Sequence, residues 1–348
     1  MDFKDFKHIT LNGKSFSKEE ILEIANSGDS HLDKVLNFLK YWFDASSEIT
    51  VQTSGSTGEP KQLAIPKQSF IESAKNTCEF LNLNAKTKAL LCIPVKYIGG
   101  KMMVIRALFS GYNLIIQEPS ANPLINLKEK IDFIAITTYQ AYHISAEKAK
   151  QLENIKNVII GGGKLDSLVA EILMKHSNNI YSTFGMTETV SHIGLKKING
   201  NDKSENFTVF HAYKISKSEE NCLIIEAPTL SESIIYTNDI VELISENEFK
   251  WLGRKDNIIN SGGIKINPEE IEEILSPFLP RIEFIVTSLP DEKLGNKLIL
   301  KVKKSKSSEL GLMLDSINTV LPKHKTIKEI VFTEDFDYTE TGKIIRRK

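Results

Sequence analysis

Thr53-Ser-Gly-Ser-Thr-Gly-Glu-Pro-Lys61 is the stretch on which the reading of this chain turns. Gly55 and Gly58 can take positive φ and let the backbone come close to a bulky anion. Successive N–H groups in such a loop form a concave anion site. Thr53, Ser54, Ser56 and Thr57 add hydroxyl donors, and Lys61 adds a compact positive charge. This is the chemistry of a triphosphate cradle. The spacing is G-x-x-G-x-x-K, on which the Walker pattern G-x-x-x-x-G-K-[ST] cannot be laid. Segments 48–52 and 61–65 read as short strands, so the loop is expected to join a hairpin. The competing reading is a Gly/Ser-rich surface turn.

Composition frames the rest. The chain has 348 residues, enough for two domains and a sizeable core. Hydrophobic residues make up 41% and charged residues 26%, an ordinary balance for a globular protein. Forty-four basic residues against forty-five acidic ones argue against a broad nucleic-acid footprint. Cys78, Cys92 and Cys222 form no C-x-x-C pair and have no histidine at zinc spacing, so buried thiols in a reducing cytoplasm are expected. The first residues lack the apolar core of a signal peptide, and no apolar run approaches a membrane span.

Through the first two thirds, helical periodicity alternates with short apolar runs. Helices are expected at 69–83 and 104–109, the latter stopped by Gly111; strands are expected at 89–94, 113–117, 132–137 and 157–160. That alternation predicts an α/β sheet covered on both faces. From 204 to 252 the texture changes to strands and turns, at 222–227, 234–236, 240–244 and 249–252. Pro268-Glu-Glu-Ile-Glu-Glu-Ile-Leu275 reads as a helix opened by a proline and acids. Strands at 282–287, 297–303 and 329–332 and a helix at 308–321 complete a small α+β unit.

Further motifs follow in a fixed order. Gly161-Gly-Gly163 closes an apolar strand; Tyr181-Ser-Thr-Phe-Gly-Met-Thr-Glu188, Tyr236-Thr-Asn-Asp239, Gly253-Arg-Lys-Asp256 ahead of Ser261-Gly-Gly263, and Thr341-Gly-Lys-Ile-Ile-Arg346 come after it. With the loop at 53–61, this series resembles the adenylate-forming superfamily of acyl-CoA synthetases, luciferases and peptide-synthetase adenylation domains. The resemblance implies an α/β fold. A large N-terminal AMP-binding domain (1–253, mixed sheets with helices and a small β-rich part, here shortened) would be followed by a hinge at 254–257. A small mobile α+β domain (258–348) would carry the catalytic lysine.

The same resemblance implies ATP, Mg²⁺ and coenzyme A as reaction partners. ATP would be bound by 53–58 and Lys61, by Gly161, Gly162 and Gly163, and by Ser182, Thr183, Phe184 and Gly185. Thr187 would contact phosphate, and Glu188 would hold the metal, a hard carboxylate donor for a hard ion. Asp239, acceptor-only when ionised, would take both ribose hydroxyls, and Arg254 would support the ribose or phosphate end. Lys343 would stabilise charge as the acid attacks the α-phosphate. Asp256 would be the hinge residue, and Ser261, Gly262 and Gly263 would lie on the CoA face.

Three departures stand out. The phosphate loop begins early, at Thr53, so part of the family's N-terminal region is expected to be missing, with a homodimer or a smaller architecture as compensation. Asn238 replaces a usual glycine, a tolerable exchange because Asn enters the left-handed region readily. Tyr97 stands where the family often has histidine. On the acyl side, Gly185-Met-Thr-Glu-Thr-Val-Ser-His192 and Pro94-Val-Lys-Tyr-Ile-Gly-Gly-Lys101 with Arg106 are similar to the o-succinylbenzoate–CoA ligase branch, which serves menaquinone biosynthesis. Its acid carries two carboxylates, and the non-reacting one needs a cation: Arg106 first, then Lys96 and Lys101, with Tyr97 beside them. Alternatives within the class are another acyl-CoA synthetase or a carrier-protein-loading enzyme; outside it stands a catalytically dead nucleotide-binding protein. His143 and His192 read as ordinary polar or core histidines.

Overall fold

The computed structural model describes residues 2–25, 28–52, 62–147, 150–230, 234–279, 282–304, 314–338 and 344–346. The whole of 53–61, and Lys343 with its neighbours 339–342, lie outside the described residues. The chain divides into two compact units: residues 1–215 with 225–235 and 246–248, and residues 216–224, 236–245 and 249–348. The expected boundary at 254–257 falls within the second of these, in a short 3-10 turn, Lys255–Asn257.

The first unit opens with the hairpin β1 (His8–Leu11) and β2 (Lys14–Ser17), then helices α1 (Lys18–Glu23) and α2 (His31–Trp42). Both helices begin with a capping box, Ser17 with Glu20 and Ser30 with Asp33, which satisfies backbone donors that a helix start leaves free. Strands β3 (Glu48–Gln52) and β4 (Gln62–Pro66) pair antiparallel, with Gln52 opposite Gln62. Their burial alternates, with Ile49, Val51 and Ile65 inward, the period of a half-buried strand.

Next come α3 (Lys67–Leu81), β5 (Lys88–Leu91), α4 (Ile98–Ser110), β6 (Asn113–Ile116), β7 (Ile131–Thr137), α5 (Thr138–Ala146), β8 (Ile155–Gly161), α6 (Ser167–Leu173), β9 (Asn179–Gly185), β10 (His192–Lys197) and β11 (Phe207–Val209). The strand order is β2-β1-β6-β5-β7-β8-β9-β10-β11. Pairing is parallel from β1 through β9 and antiparallel at β2, β10 and β11. The continuous apolar runs of β7 and β8 are buried, as central parallel strands must be, with Ile134, Ile136, Val158 and Ile160 in one core.

Helix α4 begins at Ile98, well before the 104 expected from periodicity. The preceding turn nucleates it: Tyr97 N–H donates to the Pro94 carbonyl at 3.1 Å, and Lys101 N–H to the Tyr97 carbonyl at 3.1 Å. Gly100 sits against the Pro94 carbonyl, where a Cβ would collide with backbone. The helix stops at Gly111 in the left-handed region, as the sequence indicates. All three cysteines are free and buried.

β12 (Lys214–Lys217) and β13 (Cys222–Glu226) carry the chain toward the second unit. There, β14 (Ile235–Leu243) pairs antiparallel with β15 (Glu248–Arg254). The two strands expected at 234–236 and 240–244 are thus one. Thr237-Asn-Asp239 breaks the apolar pattern, but the strand runs on through it, and the β15 ladder extends from Asp239 to Leu243 with a register shift between Ile240 and Val241. A small hairpin, β16 (Ile259–Ser261) and β17 (Ile264–Ile266), leads into α7 (Pro268–Leu275), capped by Asn267. Then β18 (Phe284–Asp291), β19 (Gly295–Lys303) and β20 (Glu329–Thr333) form a three-stranded sheet. Helix α8 is described over Leu314–Thr319. Ile271, Leu275, Val286, Leu300, Val302 and Ile317 share its core. No described helix is long and apolar enough to cross a membrane.

Candidate active site

In the first unit the expected residues gather at the carboxyl ends of parallel strands, where open α/β sheets hold ligands. Thr137, opposite Gly161 in the β7–β8 ladder, caps α5 with Gln140 in a capping box. Gln140 also donates to the carbonyls of Cys92 and Ser120, both at 3.0 Å, tying neighbouring strand ends together. Gly161 has the Thr183 hydroxyl where a Cβ would stand, at 2.9 Å, so a side chain there would displace Thr183. Gly162 has φ +93° and nothing within 4 Å of that position. The space beside the Gly162 backbone is therefore open. Ser182 is buried, and Phe184 packs against Phe207 with ring centroids 5.6 Å apart.

After β9 the chain turns sharply back into β10. A Cβ on Gly185 would collide with the Ser191 carbonyl, so the turn needs glycine there. Thr189 is wholly buried; its hydroxyl accepts from Met186 N–H at 3.0 Å and donates to the Ser191 carbonyl at 2.7 Å. Val190, also wholly buried, has φ +64°, a strained conformation for a β-branched residue. This fastened turn presents Thr187, half-buried, and Glu188, exposed. Among the described residues no cluster of three or more His, Cys, Asp or Glu could hold a metal. A lone carboxylate fits Mg²⁺ that arrives with phosphate oxygens and keeps its waters, the usual mode for that ion.

Arg106 lies on α4 and is only 2% exposed. Its Nη2 donates to Ser191 Oγ at 3.2 Å, while its Nε has no partner among the described residues. Burial pulls its pKa below the ordinary arginine value, and the groups opposing that pull are Tyr112 and Cys78, neither a carboxylate. His192 is buried beside it; burial, then the Arg106 charge, holds its pKa well below the usual histidine range. Lys101 donates to the Val95 and Lys96 carbonyls at 2.9 and 2.8 Å, and desolvation lowers its pKa to about 8. Lys96 is exposed, its ammonium 4.6 Å from the centre of the Tyr97 ring.

The second unit assembles a separate polar group. Asp239 on β14 is 7% exposed; Trp251 Nε1 donates to its Oδ1 at 2.8 Å, and Arg254 Nη1 lies 3.6 Å from Oδ2. Arg254 Nη2 donates to Asp256 at 2.9 Å, and Asn238 donates to both Asp256 oxygens at 3.1 and 3.2 Å. Burial opposes the charge on Arg254, but Asp256 and Asp239 outweigh it and raise the pKa. Ser261 ends β16, and Gly262 and Gly263, at φ +58° and +82°, make the two-residue turn into β17. Gly262 N–H donates to the Leu294 carbonyl at 2.8 Å, and Gly263 stands in open space. Trp251, Ser191 and His192 are polar partners that sequence reasoning did not single out. Trp251 stands opposite Val241, two residues along β14 from Asp239, a cross-strand placement with no signal in the sequence.

The first unit thus offers an open glycine backbone, a presented Thr-Glu pair and a buried guanidinium with no carboxylate partner among the described residues; the second, taken by itself, offers a buried acceptor next to an arginine. Known proteins share this chain's pattern. The family model for AMP-binding enzymes matches residues 11–209. A 2-succinylbenzoate–CoA ligase of Listeria innocua is 24% identical, covering 97% of this chain and 82% of its own length. Another, of Staphylococcus aureus, is 23% identical over 98% of this chain and 74% of its own. An acyl-CoA synthetase (AMP-forming)/AMP-acid ligase II-like protein from Dyadobacter fermentans superposes with TM-score 0.65 at 31% identity, covering 94% of this chain and 96% of that one. The o-succinylbenzoate coenzyme A synthetase of Bacillus subtilis, solved with ATP and magnesium ion, superposes with TM-score 0.73 at 19% identity over 95% and 76%.

Proposed function

We propose that this chain, which belongs to the AMP-binding enzyme family, is an AMP-forming acid–CoA ligase whose acid is an aromatic dicarboxylate of the o-succinylbenzoate type. In the first half-reaction a carboxylate oxygen attacks the α-phosphorus of ATP and pyrophosphate leaves. In the second, the CoA sulfur attacks the acyl carbonyl, the thiol proton departs to solvent, and AMP leaves.

Thr187 and the 53–61 loop, with Lys61, serve as hydrogen-bond donors to the phosphates in this reading. Glu188 anchors Mg²⁺, which supplies charge neutralisation for the phosphates when bound. The Gly161–Gly163 backbone takes the adenine and Asp239 the ribose hydroxyls. The Trp251 and Arg254 donors hold the Asp239 carboxylate in one orientation. Lys343 stabilises the charge that builds at the α-phosphate. Asp256 is the hinge residue, and Ser261–Gly263 face CoA in the second half-reaction.

The observation that carries the choice of acid is the burial of Arg106 without a carboxylate partner among the described residues. A buried unpaired cation costs several kcal/mol unless an anion joins it. A simple fatty acid brings no second anion, and a dicarboxylate does. The 24% identical 2-succinylbenzoate–CoA ligase of Listeria innocua supports the same class. The test is ATP–pyrophosphate exchange with o-succinylbenzoate and with its two monocarboxylic analogues, each lacking one carboxylate. Arg106→Ala should lower kcat/KM for the diacid by about 10²-fold, roughly 2.7 kcal/mol, and spare the better monoacid. Equal losses on both acids would make Arg106 a structural residue, and no activation of any of them would remove the substrate class.

A further inference from the structure

Arg106 does not stand alone. Three side chains from three elements run away from it in a single file, all inside the first unit. Ser191, in the turn before β10, accepts from Arg106 Nη2 at 3.2 Å and faces His192 Nδ1 at 3.3 Å. His192, at the start of β10, reaches Thr77 Oγ1 on α3 through Nε2 at 3.0 Å. Thr77 donates in turn to the Ser73 carbonyl at 3.3 Å. His192 and Thr77 are buried at 5% and 0% exposure.

One direction is fixed whatever tautomer His192 takes: a guanidinium only donates, so Ser191 Oγ accepts from Arg106 Nη2. When Thr77 donates to the Ser73 carbonyl, its oxygen accepts from His192 Nε2–H, and neutral His192 takes the Ser191 proton at Nδ1. In that arrangement Ser191 turns only lone pairs toward the buried guanidinium. Holding Nη2 restrains the plane of the fork, and Nε has no partner among the described residues. The fork is planar and rigid, so one fixed donor orients the rest.

We propose that Ser191 and His192 are positioning residues that aim Arg106 at the second carboxylate of the acid and so set the preference for a dicarboxylate over a monocarboxylate. This rests on the reading of Arg106 given above. Neither residue touches the acid; both act through the guanidinium.

The experiment compares kcat/KM in ATP–pyrophosphate exchange for o-succinylbenzoate and its better monocarboxylic analogue, in the wild type, Arg106→Ala, Ser191→Ala, Ser191→Thr and Thr77→Val. Ser191→Ala should lower the diacid-to-monoacid ratio about tenfold, chiefly through KM of the diacid, the scale of one lost hydrogen bond to a charged group. Ser191→Thr, which keeps the hydroxyl, should restore most of it. Arg106→Ala with Ser191→Ala should be no worse than Arg106→Ala alone, because residues acting as a unit are not additive. Thr77→Val breaks the far end of the file and should shift the ratio in the same direction, a check that remains if Ser191→Ala folds poorly. A ratio that collapses in Arg106→Ala but stays unchanged in Ser191→Ala and Thr77→Val overturns this inference and spares the role of Arg106. A ratio unmoved by Arg106→Ala overturns both.

Discussion

Asp239→Asn separates charge from shape at the proposed ribose site. The substitution keeps an oxygen for Trp251 Nε1, now 2.8 Å from Oδ1, and replaces the other oxygen by an amide. Arg254 loses a partner at 3.6 Å but keeps Asp256 at 2.9 Å, and its side chain is one quarter exposed. The fold should therefore lose less than about 1 kcal/mol, the scale of a partly exposed pair. The effect on ATP should be larger. A carboxylate accepts from both ribose hydroxyls, whereas an Asn whose oxygen is taken by Trp251 presents a donor to one of them. Losing one hydrogen bond to a charged acceptor costs about 1.5–3 kcal/mol, or roughly 10- to 150-fold in kcat/KM for ATP. ATP–pyrophosphate exchange at saturating acid measures it, with 2′-deoxy-ATP and 3′-deoxy-ATP as companions. The wild type should discriminate against the deoxynucleotide that lacks the contacted hydroxyl, and Asp239→Asn should erase much of that discrimination. A variant whose lost activity follows its lost melting temperature, with discrimination intact, refutes the ribose assignment.

Lys343→Ala should slow adenylation by roughly 10²-fold or more, the scale for one charge-stabilising donor, while presynthesised acyl-adenylate is still converted to thioester; equal loss in both half-reactions would contradict the division of labour. Glu188→Gln should raise the Mg²⁺ concentration needed for half-maximal exchange without changing the melting temperature, and an unchanged metal titration would remove Glu188 from that role. Lys101 gives a pH dependence whose sign can be worked out. Its folded pKa of about 8 lies below the ordinary 10.5, so between those values the unfolded chain holds a proton that the folded chain has released, and stability rises with pH there. Urea unfolding of wild type and Lys101→Met should show wild type gaining on the variant from pH 8 to 10.5; a constant difference would mean that Lys101 is not desolvated.

How much of this was legible in the sequence depends on the range of the interaction concerned. The glycines at 161–163, the Thr187-Glu188 pair and Asp239 announce themselves because their chemistry is local, carried by backbone freedom and short spacing. The parallel strands were readable for the same reason: β7 and β8 are apolar runs whose burial follows from composition. The start of α4 was not, because Gly100 seats on the Pro94 carbonyl and periodicity does not register a close backbone approach. Nor was the continuity of β14, which runs unbroken from Ile235 to Leu243 through the polar Thr237-Asn-Asp239, with β13 and β15 as its neighbours in the sheet.

The acyl side is the sharpest case. In the sequence, Arg106 ranks ahead of Lys96 and Lys101, but nothing there says which of the three is buried. The fold sorts them by desolvation: Lys96 lies in solvent, Lys101 spends its donors on two carbonyls, and Arg106 is enclosed. His192 seemed an ordinary core histidine because its partner Thr77 lies 115 positions away. A buried cation and a buried imidazole side by side cost free energy that a hydrophobic pair would not, and neither finds a carboxylate among the described residues. Under the proposed function, the second carboxylate of the acid supplies that missing anion, so the cost borne by the free protein is relieved on binding.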